Sequence, residues 1–336
     1  MTELAELAQD SYLRPNGHGG YLIRQSDLAS WARCPLQKYY TDRACADMDA
    51  PQPKTLSATE YGTVVHYALM NLEQLHYQGR DDALQVAIAT FEHYWHPDNI
   101  SAVATPVQEW LPRQTYGGLR ERGRRVITDY YNLLRRDDSR LLALEYQFAV
   151  PLFVDDRLHT LTGTVDRLSI KKHYSKPYLS IDDFKTGKQP TYLRHNVQGH
   201  AYAYATTCHE FWLGWEQVRQ DPSGVGELAT FDEDTLVALE RFFESYDYRV
   251  LADDDNGLTL ASRRFRWINM QEVKFADGGW RTERDYARLV LAIDAYVRAC
   301  EAGIYSPTNT GEVCIYCPFR GVCGGIGLPH EKAGAP

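Results

Sequence analysis

The 336-residue sequence has no apolar run long enough to span a membrane and no basic-then-apolar leader at its N-terminus. We therefore expect a cytoplasmic, intracellular protein that does not associate with a membrane. Basic side chains are not in excess either, since 36 lysines and arginines stand against 45 aspartates and glutamates, for a formal charge of −9. This balance argues against a large nonspecific polyanion-binding surface, but it permits a local positive cleft.

Cysteine is also scarce. Seven cysteines are too few for a disulfide scaffold at this length, and an odd number fits a reducing compartment. The phosphate-binding pattern GxxxxGK[ST] is missing, so any motor that uses this phosphate loop would be a separate chain. The remaining composition, 44% hydrophobic and 24% charged, is typical of a globular protein with a substantial core.

The stretch TGTVDRLSIKKHYSKPYLSIDDFKTGK predicts two strands, residues 162–171 and 177–185, joined by a polar loop with three lysines. Residues two apart share one face of a strand, so Asp183 and Lys185 should point the same way. Antiparallel pairing would bring Asp166 beside Asp183. Two carboxylates and an ammonium suit a hard divalent cation and a phosphate, which is nuclease chemistry. The alternative is that these residues form an ordinary exposed strand face, followed by a Thr-Gly-Lys turn, without a functional site.

Two predicted helices flank these strands. The first, residues 59–78, carries an apolar stripe, and His66 lies one turn beyond Gly62. His66 is a candidate metal ligand, with a simply packed histidine as the alternative. The second helix follows the acidic strands and places Gln198 and Tyr202 one turn apart, where they can contact a nucleotide backbone or orient the lysine. A surface pair on an amphipathic helix is the alternative.

Other elements frame this region. Residues 141–151 predict a strand that leads into the acidic pair, and Glu145 near its middle is either a further site acid or a solvent-facing residue. We favour the solvent-facing position. The pattern also predicts a further strand at residues 263–275 and a helix at residues 282–303.

Four cysteines form a separate pattern. Cys314, Cys317 and Cys323 are closely spaced in CIYCPFRGVC, and Cys34 lies near the other end of the chain. Four thiolates can hold zinc or an iron–sulfur cluster, and the prolines after Cys34 and Cys317 are typical of ferredoxin-type ligands. Unligated thiols are the alternative. The remaining cysteines are expected to be buried thiols: Cys45, Cys208 and Cys300.

The blocks GTVVH, GTVD, DFKTGK and QGHAY follow one another between the two parts of this cysteine pattern. In this combination the sequence resembles the RecB-like branch of the PD-(D/E)XK superfamily that carries an iron–sulfur cluster, which includes the AddB nuclease domain and CRISPR-associated RecB-like exonucleases. The resemblance implies an α/β, restriction-endonuclease-like fold with an αβββαβ core, a mixed central sheet, helical inserts and a C-terminal cysteine module. It implies a metal-dependent deoxyribonuclease, an exonuclease on single-stranded DNA ends that hydrolyses phosphodiesters with an activated water in recombination, repair or processing.

The resemblance also assigns roles to individual residues. It makes five residues the catalytic set: Asp166, Asp183, Lys185, Gln198 and Tyr202. It makes three residues the ligands of Mg²⁺ or Mn²⁺: His66, Asp166 and Asp183. It makes four thiols the holders of a 4Fe-4S cluster, with zinc as the alternative: Cys34, Cys314, Cys317 and Cys323. Asp183 stands where the family often has Glu, an accepted exchange. A noncatalytic DNA-end-binding subunit of the same fold is the alternative function.

We expect one nuclease domain with two large insertions and short ends. The predicted units are a flexible lead-in at 1–25, the domain at 26–323, helical inserts at about 80–140 and 215–260, a cysteine module of Cys34 with 314–323, and a tail at 324–336. The expected partners are DNA, single-stranded or with free ends, and a separate helicase or recombination protein.

Overall fold

The computed structural model describes residues 12–174, 176–186, 196–212, 263–270, 273–308, 313–314 and 317–323. Several predictions made from the sequence lie outside the described residues: the start of the lead-in, the Thr-Gly-Lys turn beyond residue 186, the insert at 215–260 and the tail at 324–336. Within the described ranges, no helix is both long and apolar enough to cross a membrane.

The described strands form one mixed sheet. They are β1 (Arg14–Pro15), β2 (Gly19–Arg24), β3 (Arg140–Val154), β4 (Arg157–His173), β5 (Lys176–Lys185), β6 (Arg263–Asn269) and β7 (Lys274–Trp280). The order is β1-β2-β4-β5-β6-β7, and β3 pairs with the second edge of β4. The β2–β4 and β5–β6 pairs are parallel, whereas the other pairs are antiparallel.

Helices cover both faces of this sheet. The described α-helices are α1 (Gln25–Arg33), α2 (Pro35–Ala46), α3 (Ser57–Tyr77), α4 (Ala83–Tyr94), α5 (Tyr116–Leu134), α6 (Val197–Trp212) and α7 (Glu283–Glu301). One apolar core lies between the sheet and helices α6 and α7, and a second lies among α3, α4, α5 and the ends of β5 and β6. The chain therefore has a mixed α/β fold that is consistent with a restriction-endonuclease-like fold.

The structure corrects four details of the sequence analysis. Within the predicted lead-in, residues 14–15 form strand β1 and residues 19–24 form strand β2. The lysines predicted to lie in a loop belong to strands instead. Strand β4 extends to residue 173, and strand β5 starts at residue 176. The predicted strand at 263–275 corresponds to two antiparallel strands, β6 and the start of β7. Cys45 is exposed, whereas Cys208 and Cys300 are buried as predicted.

Candidate active site

The candidate active site lies where the sheet forks. One edge of β4 pairs with β2 over residues 158–162 and with β5 over residues 167–173, while β3 occupies the opposite edge. The four residues between, 163–166, pair with no described strand on the forked edge. Asp166 is the last of these four residues, and continuing the register by one step places Asp183 opposite it. The fork thus opens a space between two arms of one sheet beside both acids.

Strand periodicity separates two adjacent aspartates on β5. Asp183 faces helix α6 together with Lys185, whose Nζ lies 2.8 Å from the Asp183 carboxylate, and Phe184 packs into the helical core on the other face. This arrangement follows the predicted alternation. Asp183 is fully buried, so its carboxylate depends on the lysine and on its other neighbours for solvation.

Asp182 points to the opposite face and fixes the sheet behind the site. Its carboxylate accepts hydrogen bonds from Arg167 Nη1 and Arg266 Nε, each at 2.7 Å, and Arg167 also donates to Glu73 of α3 at 2.8 Å. Burial acts to raise the pKa of Asp182, but Arg266 and Arg167 hold it well below its usual range. This network links β4, β5, β6 and α3, and it therefore holds Asp183 in register.

Helix α3 and strand β3 bring two more side chains to the fork. His66 Nε2 lies 3.1 Å from Asp166 Oδ2 and 3.6 Å from Glu145 Oε1. Glu145 has φ +49° in the middle of β3, a left-handed conformation that a non-glycine residue rarely adopts within a strand. The preferred solvent-facing position of Glu145 is therefore wrong, because its half-buried carboxylate belongs to the site.

Burial disfavours the charged forms of several of these side chains, as their pKa values show. Burial, together with the charge of Asp166, raises the pKa of Glu145 to about 7 and that of Asp183 to about 7. The pKa of Asp166 is lowered despite its burial, because His66 and Lys185 stabilise its charge. The pKa of His66 is raised by Asp166 and Glu145, although burial acts to lower it. Such a group of closely spaced, poorly solvated acids is what a bound cation stabilises.

The donor atoms present fit a divalent metal. Within the part of the chain that the structure describes, His66, Glu145 and Asp166 form the group of three potential ligand atoms lying within 4.8 Å of one another. His66 Nε2, Glu145 Oε1 and Asp183 Oδ2 are buried and make no well-oriented hydrogen bond to a described residue. Carboxylate oxygens and an imidazole nitrogen are ordinary ligands of Mn²⁺, and the oxygens suit Mg²⁺.

Helix α6 orients Asp183 through a chain of hydrogen bonds. Gln198 Nε2 donates to Asp183 Oδ1 at 3.0 Å and to the Tyr202 hydroxyl oxygen at 2.7 Å. Gln25 Nε2 of α1 donates to the same hydroxyl oxygen at 3.3 Å. Gln198 and Tyr202 are buried, not a surface pair, and Gln198 contacts the acid instead of the lysine. Sequence reasoning missed Gln25, because no local pattern links it to α6.

Two glycines of the sequence blocks allow close approaches at the fork. A Cβ atom at Gly163 would lie 2.6 Å from Phe148 Cζ and 2.8 Å from Gln25 Cγ. A Cβ atom at Gly62 would lie 2.8 Å from Thr186 Oγ1, just beyond β5. These positions explain why glycine precedes Asp166 and His66 in the two GTV blocks.

The acids lie between two open cavities. The α3-side cavity, about 330 Å³, is lined by Gly62, His66 and neighbouring residues of α3. The α1-side cavity, about 510 Å³, is lined by residues of the β2–α1 junction, by β3 and β4, and by Asp183. Asp166 and Lys185 line both cavities. A substrate can therefore approach the same acid and amine from either side.

A family model of the PD-(D/E)XK nuclease superfamily matches residues 24–324, which is most of the chain. The chain belongs to this superfamily. Its family implies a metal-dependent nuclease and a nucleic-acid substrate, in agreement with the acids gathered at the fork. A comparison with curated protein sequences found no match. Among solved structures, "Crystal structure of SSO0001" is similar at 11% identity over 86% of this chain and 93% of that chain, with a TM-score of 0.31.

The four patterned cysteines of this PD-(D/E)XK protein line one narrow cavity of about 20 Å³: Cys34, Cys314, Cys317 and Cys323. Cys34 lies between α1 and α2, and its Sγ accepts a hydrogen bond from the Thr308 backbone N–H at 3.4 Å. Burial and the neighbouring thiols raise the pKa values of Cys314 and Cys317. Cys34 and the segment that carries the other three cysteines therefore meet at this cavity.

Proposed function

We propose that this protein is a Mg²⁺- or Mn²⁺-dependent deoxyribonuclease of the RecB-like branch, an exonuclease acting on single-stranded DNA ends in recombination, repair or processing. The observation that carries the proposal is the convergence of His66, Asp166, Asp183 and Lys185 at the fork of the sheet in a member of the PD-(D/E)XK superfamily. The order of helix α3, strands β3 to β5, helix α6 and strand β6 supports the αβββαβ core expected of that branch.

The proposed ligands are His66, Asp166 and Asp183, and Glu145 lies within reach of the first two. When bound, a divalent cation supplies Lewis-acid chemistry, stabilising charge on phosphoryl oxygens and lowering the pKa of water. The burial of Asp183 and the raised pKa values of Asp183 and Glu145 support this ligand set, since a cation would stabilise both carboxylates in their charged forms.

The protein side chains then have distinct tasks. Lys185, held as an ammonium by Asp183, would stabilise the charge that develops on the phosphate and orient the attacking water. Gln198 and Tyr202 would keep the Asp183 carboxylate in one orientation by the hydrogen bonds described above. The buried ion pairs of Asp182 on the opposite face keep the strands from shifting while substrate binds.

A nuclease assay tests the proposal. Anaerobically purified protein is titrated with Mg²⁺ or Mn²⁺ in the presence of end-labelled linear and circular single-stranded DNA. We expect shortening of the linear strand and sparing of the circle, with cleavage abolished in Asp183→Ala and retained in the exposed control Asp129→Asn. An unchanged rate in Asp183→Ala overturns the assignment, and a band shift without cleavage by the native protein points to a noncatalytic DNA-end-binding subunit.

We further propose that the four cysteines that line the narrow cavity hold a 4Fe-4S cluster: Cys34, Cys314, Cys317 and Cys323. Proline follows both Cys34 and Cys317, as is typical beside ferredoxin-type ligands, and this favours the cluster over zinc bound by four thiolates. The Thr308 backbone N–H donates a hydrogen bond to Cys34 Sγ, and hydrogen bonds of this kind to the sulfurs tune the reduction potential of such clusters.

Metal analysis and colour distinguish the two occupants. Protein purified without oxygen should be brown, with about four irons per chain for a cluster of this type, and Cys317→Ala should be colourless. The exposed Cys45 provides the control, since Cys45→Ser should keep both colour and iron. A colourless native protein with stoichiometric zinc would reject the cluster.

A further inference from the structure

We propose that the α1-side cavity binds the stretch of a nucleic-acid strand next to the scissile phosphate, and that it contacts the sugar–phosphate backbone instead of the bases. The inference rests on the proposed nuclease function and specifies how that site holds its substrate. It starts from the fork, because the α1-side cavity fills the space between the β2 arm and the β5 arm.

The floor of this cavity is a row of hydroxyls that leads to the metal-binding acid. Thr162, Thr164 and Asp166 occupy alternate positions of β4, and all three line the cavity. Successive members of the row are about 6.6 Å apart along the strand. Gln147 of β3, paired with Thr164, adds an amide to the same surface. A nucleic-acid strand lying along this row would contact these hydrogen-bond donors before it reaches Asp166.

The facing wall comes from the junction of β2 and α1. Arg24, Gln25 and Ser26 line the cavity from this side, and they add a guanidinium, an amide and a hydroxyl. The walls are therefore neutral or positive, and the carboxylates are confined to the end of the cavity where a cation would bind.

This set of donors matches phosphate and sugar oxygens. Guanidinium, hydroxyl and amide groups are the usual protein contacts to a nucleic-acid backbone, and they carry no direct sequence information. Proteins that hold the bases of a single strand stack them on accessible aromatic faces. The aromatic rings that line this cavity are 2% exposed at Phe148 and 1% exposed at Tyr202, so they offer no stacking platform. Binding here should thus be independent of sequence.

Binding and kinetics of three variants test the inference: Arg24→Gln, Thr162→Val and Thr164→Val. Fluorescence anisotropy with labelled single-stranded oligonucleotides, one of thymines alone and one of mixed sequence, measures Kd in Ca²⁺. We expect Arg24→Gln to weaken both oligonucleotides about tenfold and to reduce the slope of log K against log salt by about one. Each valine variant should raise KM several-fold more than it lowers kcat, because its hydroxyl contacts the bound strand and not the reacting atoms.

Matched changes elsewhere serve as controls. Arg298→Gln removes an exposed arginine paired with Asp294 on α7, and Thr128→Val removes a hydroxyl on α5. Both should keep the native Kd and KM, and thermal melting verifies that all variants are folded. An unchanged Kd in Arg24→Gln and unchanged KM in the valine variants overturn this inference alone if the native protein still cleaves. An effect confined to one oligonucleotide also overturns it, because the bases would then be read. Loss of all cleavage by the native protein instead rejects the proposed function.

Discussion

The Nζ atom of Lys185 lies 2.8 Å from the carboxylate of Asp183, and both side chains stand on one face of strand β5. Burial acts to lower the pKa of Lys185, but Asp183 and Asp166 raise it above its ordinary value. The lysine is therefore a charged ammonium, and it is paired with an acid that is proposed as a metal ligand. If a cation binds to Asp183 as proposed, the metal and the lysine compete for the charge of this carboxylate.

Replacing Lys185 should separate metal binding from catalysis. We expect Lys185→Met to lower the cleavage rate at least a hundredfold, since the charge aimed at the phosphate is lost. Its Mn²⁺ affinity should be equal to or higher than that of the native protein, because the ammonium no longer competes for Asp183. Titration calorimetry with Mn²⁺ and single-turnover cleavage measure the two effects. A loss of Mn²⁺ affinity as large as in Asp183→Ala would contradict this division of roles.

Glu145 should contribute to metal affinity. Glu145→Gln keeps the size of the side chain but removes the charge that lies 3.6 Å from His66. We expect Mn²⁺ to bind about tenfold more weakly. The melting temperature of the metal-free protein should be unchanged or higher, because burial already disfavours the charged carboxylate. Glu121→Gln, at an exposed position of α5, is the control. Unaltered Mn²⁺ binding by Glu145→Gln would exclude Glu145 as a contributor.

The sequence predicted those parts of the site that depend on local periodicity. Alternation along β5 put Asp183 and Lys185 on one face of the strand, and helical spacing placed His66 one turn beyond Gly62 on α3. These features need only neighbouring residues in the chain. The antiparallel hairpin of β4 and β5 was also within reach, since its turn is short.

The missed parts depend on distant contacts or on unusual backbone. Glu145 lies at the site with a left-handed φ in the middle of β3, a backbone conformation that glutamate does not favour by itself. Gln25 reaches Tyr202 across 177 positions of the chain. Strand β2 pairs in parallel with β4, so the residues expected to be a loose lead-in become an arm of the fork. Each of these features depends on tertiary packing, and the hydrophobic periodicity of the sequence does not reveal it.

The contact between α4 and α5 should tolerate no added methyl group at Gly123. A Cβ atom there would lie 2.1 Å from Phe91 Cζ, and Phe91 is fully buried. We expect Gly123→Ala to lower the free energy of unfolding by about 1–3 kcal/mol, because the ring must move. Gly117→Ala in the same helix meets no neighbour within 4 Å and should raise it by up to about 1 kcal/mol. Urea denaturation measures both, and equal effects would contradict the packing.

His159 should make the fold sensitive to mild acid. Burial and the nearby Arg157 lower the pKa of His159 to about 4, and its Nδ1 accepts a hydrogen bond from the Tyr21 backbone N–H. The unfolded chain, with an ordinary histidine pKa of about 6.5, binds more protons than the folded chain between these values. Stability contributed by neutral His159 is therefore present above pH 6.5 and lost as the pH falls toward 4, by up to about 3 kcal/mol.

Unfolding measured from pH 7 to pH 4 tests this expectation. The slope of stability against pH should be smaller in His159→Gln than in the native protein over that interval. His18→Gln, which changes an exposed histidine, should keep the native slope. If the two variants have identical slopes, His159 is not the group that titrates.

The parallel pairing of β2 with β4 bears on how the protein can be shortened. The family match begins at residue 24, yet β2 starts at Gly19, and the Asn16 side chain donates hydrogen bonds to the Leu158 carbonyl and the Thr160 hydroxyl. Trimming to the matched boundary would strip this strand and bare the β4 edge at 158–162, an open template for self-association. Truncated forms that begin at residue 24 should therefore precipitate, whereas those that keep Tyr12 and everything after it should stay monodisperse on gel filtration.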